Sequence, residues 1–133
     1  MDAIDDFVDH VLGTGFDDLP PQAIRAAKTF TLDSFGVGLS GGAGPWVDEM
    51  IQLSTQWGQG DDARVWGHGL RLPAPAAALC NAYQIHNAEF DCVHEGAVVH
   101  SMTVLLGAAM AVAEKDGGTS GKDLILAAAL GVD

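Results

Sequence analysis

Between Tyr83 and Ser101 the chain carries His86, Glu89, Asp91, Cys92, His94, Glu95 and His100. Three of the five histidines and three carboxylates therefore fall within 15 residues. Imidazole titrates near neutrality, which suits proton transfer to or from carbon or oxygen. Titratable groups gathered this densely point to a site, because such groups perturb one another. His10 and His68 have no such company and read as structural. A helix continued past His86 would place His86 and Glu89 on one face at i, i+3. Asp91, His94 and Glu95 fall on the loop that follows, and His100 at the mouth of the next helix. A helix N-terminus favours anions, so a substrate carboxylate would be stabilised there.

Other chemistries fit the spacing less well. His, Asp and Glu all ligate zinc or iron. The order His94-Glu95 followed by His100 is not H-E-x-x-H, and it does not set two histidines one helical turn apart. No metal is therefore expected; a small metallohydrolase built on His86, Asp91, His94 and His100 stands as an alternative. Cys92 as a nucleophile with His94 or His100 as base lacks a visible oxyanion arrangement. The glycines at Gly36, Gly38, Gly41 and Gly42 follow a helix rather than a strand, so neither the dinucleotide fingerprint nor the P-loop applies.

The elements that must position the cluster can be read from periodicity and punctuation. Ile4, Phe7, Val8, Val11 and Leu12 form one apolar helical stripe, capped by Asp2 and stopped at Gly13 and Gly15. Asp17 or Asp18 offers a cap to a second helix from about Pro21 to Leu39, with Ile24, Ala27, Phe30, Ser34 and Val37 inward. Residues 40–44 form a connector. Pro45 opens a third helix with Val47, Met50, Ile51, Ser54 and Trp57 inward. A short hairpin is predicted near residues 63–72, turning at Gly67 to Gly69. Pro73 and Pro75 start an alanine-rich helix that reaches about His86 and is apolar on nearly every face, hence central. A long helix runs from about Ser101 to Lys115, with Met102, Leu105, Leu106, Ala109 and Met110 at core spacing. Ser120 and Asp123 resemble a capping box ahead of a last helix carrying Leu124, Ile125, Ala128 and Leu130. The fold class is thus mainly α: one helical-bundle domain over residues 1–133 with one short β-hairpin.

Composition narrows the function classes. The chain has 133 residues, 18 acidic against 6 basic, for a formal net charge of −12. That charge argues against nucleic acid and against anionic membranes as partners. The hydrophobic fraction of 48% and charged fraction of 18% are those of a folded domain. The apolar runs, Met102 to Ala113 and Leu124 to Leu130, fall short of the about 20 residues a membrane span needs. The start is acidic, unlike an export signal. Cys80 and Cys92 read as two reduced thiols in a cytoplasmic protein.

The run from Asn81 through His86, then Glu89-Phe90-Asp91-Cys92-Val93-His94-Glu95 and on to His100, resembles the MmgE/PrpD family, which includes 2-methylcitrate dehydratase and cis-aconitate decarboxylase. Ala26 to Val37, and Ala113-Glu114 with Gly118 and Ser120 to Leu124, agree with it. The resemblance covers the chain from about residue 4 to its end. It rests on the order and spacing of several motifs together. It implies a helical domain paired with an α/β lid, without a cofactor and homodimeric. The substrate class implied is a small di- or tricarboxylic acid that is dehydrated, hydrated, decarboxylated or epimerised. The family pattern near the site is close to D-F-D-D-T followed by H-P-S. On it, Glu89 and Asp91 fall on acidic positions and His100 on the histidine, which implies catalytic roles for His100 and Asp91. Glu89, His94, Glu95 and His86 are assigned to the substrate pocket. Cys92, Val93 and Ser101 depart from the pattern, at positions that bear on substrate identity.

Family enzymes are several times longer, and no Lys or Arg lies within the cluster to neutralise a polycarboxylate. The chain therefore reads as the N-terminal part of a larger enzyme whose lid domain is absent, inactive alone. The alternative is a non-catalytic helical association module or a split subunit.

Overall fold

In the computed structural model, which describes residues 2–133, the chain order is α1 (Ala3–Gly13), a 3-10 turn (Phe16–Asp18), α2 (Pro21–Gly41), α3 (Val47–Gln56), β1 (Ala63–Val65), β2 (Leu70–Leu72), α4 (Ala74–His86), α5 (Ser101–Asp116) and α6 (Gly121–Leu130). The architecture is mainly α with a single antiparallel hairpin, as the patterning predicts.

The near-continuous apolar surface of α4 has its cause in position. Ala74, Ala76, Ala77, Cys80, Asn81, Gln84 and Ile85 are all buried, because α2, α3, α5 and the hairpin surround this helix. Small residues bring backbones together. A Cβ at Gly107 of α5 would lie 2.8 Å from the Ala78 carbonyl oxygen of α4, so only glycine permits this crossing. The core has two parts. Val47, Ile51, Val65, Leu72, Ala77, Cys80 and Ala111 fill one. Trp66, Ile85, Met102 and Leu106 fill the other, where Phe35 stacks on Trp66 at 4.2 Å between ring centroids. Cys80 and Cys92 are both free thiols.

The hairpin places Arg64 opposite Arg71 and turns through Gly67 and Gly69, both at positive φ. Two buried amides of α4 hold it. Asn81 accepts from the Trp66 amide at 3.0 Å and donates to the Arg64 carbonyl at 2.9 Å, while Gln84 donates to the Trp66 carbonyl at 3.1 Å. Glu114 of α5 receives both arginines, Arg64 at 3.1 Å and Arg71 at 3.4 Å. Asp62 accepts from the Ala74 amide at 3.1 Å and from Lys115 at 3.2 Å.

Several local expectations are corrected. α1 forms with the Asp2 cap, reinforced by Asp5, but its apolar stripe is not buried: Ile4, Phe7, Val8, Val11 and Leu12 are 48–81% exposed. Periodicity reports that a face is apolar, not that a neighbour covers it. Neither Asp17 nor Asp18 caps α2; Asp18 instead accepts from the Gly15 amide at 2.8 Å and closes the 3-10 turn, with Pro20 leading into the helix. α2 continues through Gly41, into the expected connector. α3 begins at Val47 rather than Pro45, because Trp46 adopts a left-handed conformation with φ 64°. Phe30 and Trp57, expected inside, are exposed, whereas Ala27, Ser34, Val37, Val47, Ile51 and Ser54 are buried. The Ser120 and Asp123 capping box is present. Among the described residues no helix is long and apolar enough to cross a membrane.

Candidate functional site

α4 and α5 lie antiparallel as neighbours, so the end of one and the start of the other meet. His86 is the last residue of α4 and His100 the N-cap of α5. The connecting loop folds Asp91 in beneath them. Its carboxylate is fully buried, while the His86 and His100 side chains keep 46% and 33% exposure. His86 Nδ1 sits 3.1 Å from each Asp91 oxygen. The Thr103 hydroxyl, one turn into α5, donates to Asp91 Oδ2. His100 Nδ1 lies 3.1 Å from the same oxygen but out of line for a hydrogen bond, and it is buried without a hydrogen-bond partner. The two imidazoles meet edge to face at 4.8 Å.

Electrostatics fixes the protonation pattern. Burial pushes the Asp91 carboxyl up, but hydrogen bonds from Thr103, from His86 and from its own backbone, with the adjacent imidazole, outweigh it and hold the group below its ordinary range. Asp91 is therefore a carboxylate at neutral pH. A carboxylate only accepts, so His86 Nδ1 carries the proton between them. The result is a buried anion flanked by two histidines that open toward solvent, an arrangement able to hold and pass a proton at the mouth of α5. One ligating atom from each of His86, Asp91 and His100 lies within 4.8 Å of the others, the only such trio of metal-ligating residue types among the described residues.

The remaining sequence candidates sit elsewhere on the loop. The helix stops at His86, so Glu89 does not share its face; Glu89 adopts φ 49° and is exposed. Glu95 is exposed as well, and no hydrogen bond or ion pair joins either carboxylate to the cluster among the described residues. His94 pairs its backbone with Val99 and accepts from the Ala97 amide through Nδ1 at 3.0 Å, which shapes the loop. It also lines an open hollow of about 480 Å³ with Phe30, Cys92, Ser101 and Met102. Burial, and then the charges of Asp33 and Asp91, push the Cys92 thiol up, away from the thiolate a nucleophile needs. Thr103 is the site residue that sequence reasoning missed. Its signal was the i, i+3 relation to His100 across the start of α5.

Cations are spent outside the site. Arg64 and Arg71 bind Glu114, Lys115 binds Asp62 and Lys122 binds Asp17. Neither of the other two, Arg25 and Lys28 on α2, forms an ion pair or hydrogen bond with the cluster.

The MmgE/PrpD N-terminal domain matches residues 5–133, and the chain belongs to that family. Cis-aconitate decarboxylase of Aspergillus terreus is 34% identical over 121 residues, which are 88% of this chain and 25% of that protein. The cis-aconitate decarboxylase-like protein oryM of Aspergillus oryzae is 30% identical over 122 residues, 87% of this chain and 25% of that protein. The chain thus spans about a quarter of the length of these curated relatives.

Proposed function

We propose that the chain is the N-terminal helical part of an MmgE/PrpD-type lyase that acts on a small di- or tricarboxylic acid by acid–base chemistry. The observation that carries this reading is the buried Asp91 carboxylate held between His86 and His100 where α4 and α5 meet. His100 is the proton-transfer residue at the carbon beside a substrate carboxylate, and Asp91 orients it and balances its charge. His86 and His94 shape the pocket, with Glu89 and Glu95 at its rim. Dehydration, decarboxylation and epimerisation share that early step. The relatives' names favour decarboxylation of a cis-aconitate-like acid. The cations needed to neutralise such a substrate belong to a lid domain outside this chain, which on this reading is inactive alone.

The test uses the complete enzyme. His100→Ala should lower turnover by at least about 10²-fold while leaving the fold intact by circular dichroism. Near-normal turnover in that variant refutes the assignment.

A second reading is favoured by the exposed apolar face of α1 and by a cluster without cations: a helical module that associates with itself, as a homodimer, or with a separately encoded lid. Multi-angle light scattering of the chain checks it, and a monomer at high concentration counts against self-association. A cytoplasmic location is proposed with both readings, supported by the free thiols of Cys80 and Cys92.

A further inference from the structure

We infer that His86, Asp91 and His100 form a binding site for a borderline divalent transition cation of the zinc or cobalt type. The carboxylate and the two imidazoles are the donor set such ions select. The spacing fits. Two ligand atoms bound about 2.1 Å from one ion sit about 3.0–3.4 Å apart at octahedral to tetrahedral angles. His86 Nδ1 and His100 Nδ1 each lie 3.1 Å from an Asp91 oxygen. The three donor atoms lie within 4.8 Å of one another, so a single ion touches both nitrogens and the carboxylate once His86, whose side chain is half exposed, rotates inward.

Two further features point the same way. His100 Nδ1 is buried with no hydrogen-bond partner, although it faces a carboxylate oxygen. A lone pair offered to a metal accounts for an orientation that a hydrogen bond does not. The Thr103 hydroxyl donates to Asp91 Oδ2, the kind of support that orients a ligating carboxylate. On binding, the proton on His86 Nδ1 moves by way of solvent to Nε2, which frees the Nδ1 lone pair for the ion, and water completes the coordination. The ion would occupy the atoms that the lyase reading assigns to proton transfer, so it competes with that chemistry rather than assisting it. The site itself does not depend on that reading.

Titration of the purified 133-residue chain with Co²⁺, followed by visible absorption and then by displacement with Zn²⁺, tests the site without any substrate. The expected result is saturable binding of about one Co²⁺ per chain. His86→Ala should weaken it by at least about tenfold, and Asp91→Asn likewise, since even loss of an outer partner costs about 10- to 100-fold. Thr103→Val should weaken it about tenfold, and His10→Ala should leave it unchanged. No saturable binding up to about 1 mM Co²⁺, or undiminished affinity in a folded His86→Ala chain, overturns the inference. Because the readout is metal occupancy, a failure here is separate from a failure of the turnover test above.

Discussion

Thr103→Val is the sharpest probe of how the site is held. Valine keeps nearly the same shape and removes one hydroxyl, the donor to a carboxylate that has no solvent exposure. A hydrogen bond to a charged group contributes about 1.5–3 kcal/mol, and its loss leaves part of a buried charge unsatisfied. A chain of 133 residues has an unfolding entropy of about 0.28 kcal/mol/K, so Tm should fall by about 5–10 °C. Urea and thermal unfolding at pH 7, with a chelator present, give both numbers. Neutralising the acceptor should shrink the effect. In an Asp91→Asn background the same substitution should cost only about 1 kcal/mol, the value of a neutral pair. A Thr103→Val chain within about 0.5 kcal/mol of the parent, or an undiminished cost beside Asn, refutes the view that Thr103 anchors a buried carboxylate.

Two further substitutions separate packing from propensity. Gly107→Ala should destabilise by about 1–3 kcal/mol in urea unfolding, because its Cβ meets the α4 backbone at Ala78. Gly36→Ala in α2 meets nothing within 4 Å and should instead stabilise by about 0.5–1 kcal/mol. A third prediction concerns acid. The Ala74 amide first, and then Lys115, hold the Asp62 carboxyl below its ordinary value, outweighing partial burial. A depressed carboxyl contributes stability that is present above its unfolded value near 4 and is lost as pH falls through the lower folded value. The Tm drop between pH 5 and pH 3 should therefore be smaller in Asp62→Asn than in the parent; equal drops would remove Asp62 from the account.

The elements were legible wherever local chemistry decides them. Pro73 and Pro75 mark the start of α4, the alanine run marks its centrality, and Ser120 with Asp123 marks the start of α6. What periodicity does not carry is the identity of the neighbour. Phe30 and Trp57 read as core and lie exposed, and the apolar stripe of α1 is exposed as well. At the site, the grouping of three histidines was visible as density along the chain, but spacing alone does not say which carboxylate joins them; the family resemblance, not the spacing, singled out Asp91. Glu89 and Asp91 are two residues apart, and the end of α4 at His86 sends one outward and the other inward. Thr103 went unseen because its partner lies across a loop whose path is set by tertiary contacts, among them the pairing of His94 with Val99.

Asp62 has a role larger than its own two bonds. It grips the first turn of α4 through Ala74 and the last turn of α5 through Lys115, while Glu114 ties the same end of α5 to the hairpin. The histidine cluster sits at the opposite end of this helix pair. The pair is thus pinned at both ends, like two rails joined by sleepers, and cannot slide lengthwise without breaking the far pins. The separation of His86 and His100 is therefore gauged by residues remote from them, and loosening Asp62 or Glu114 would change the spacing of the two imidazoles without touching either.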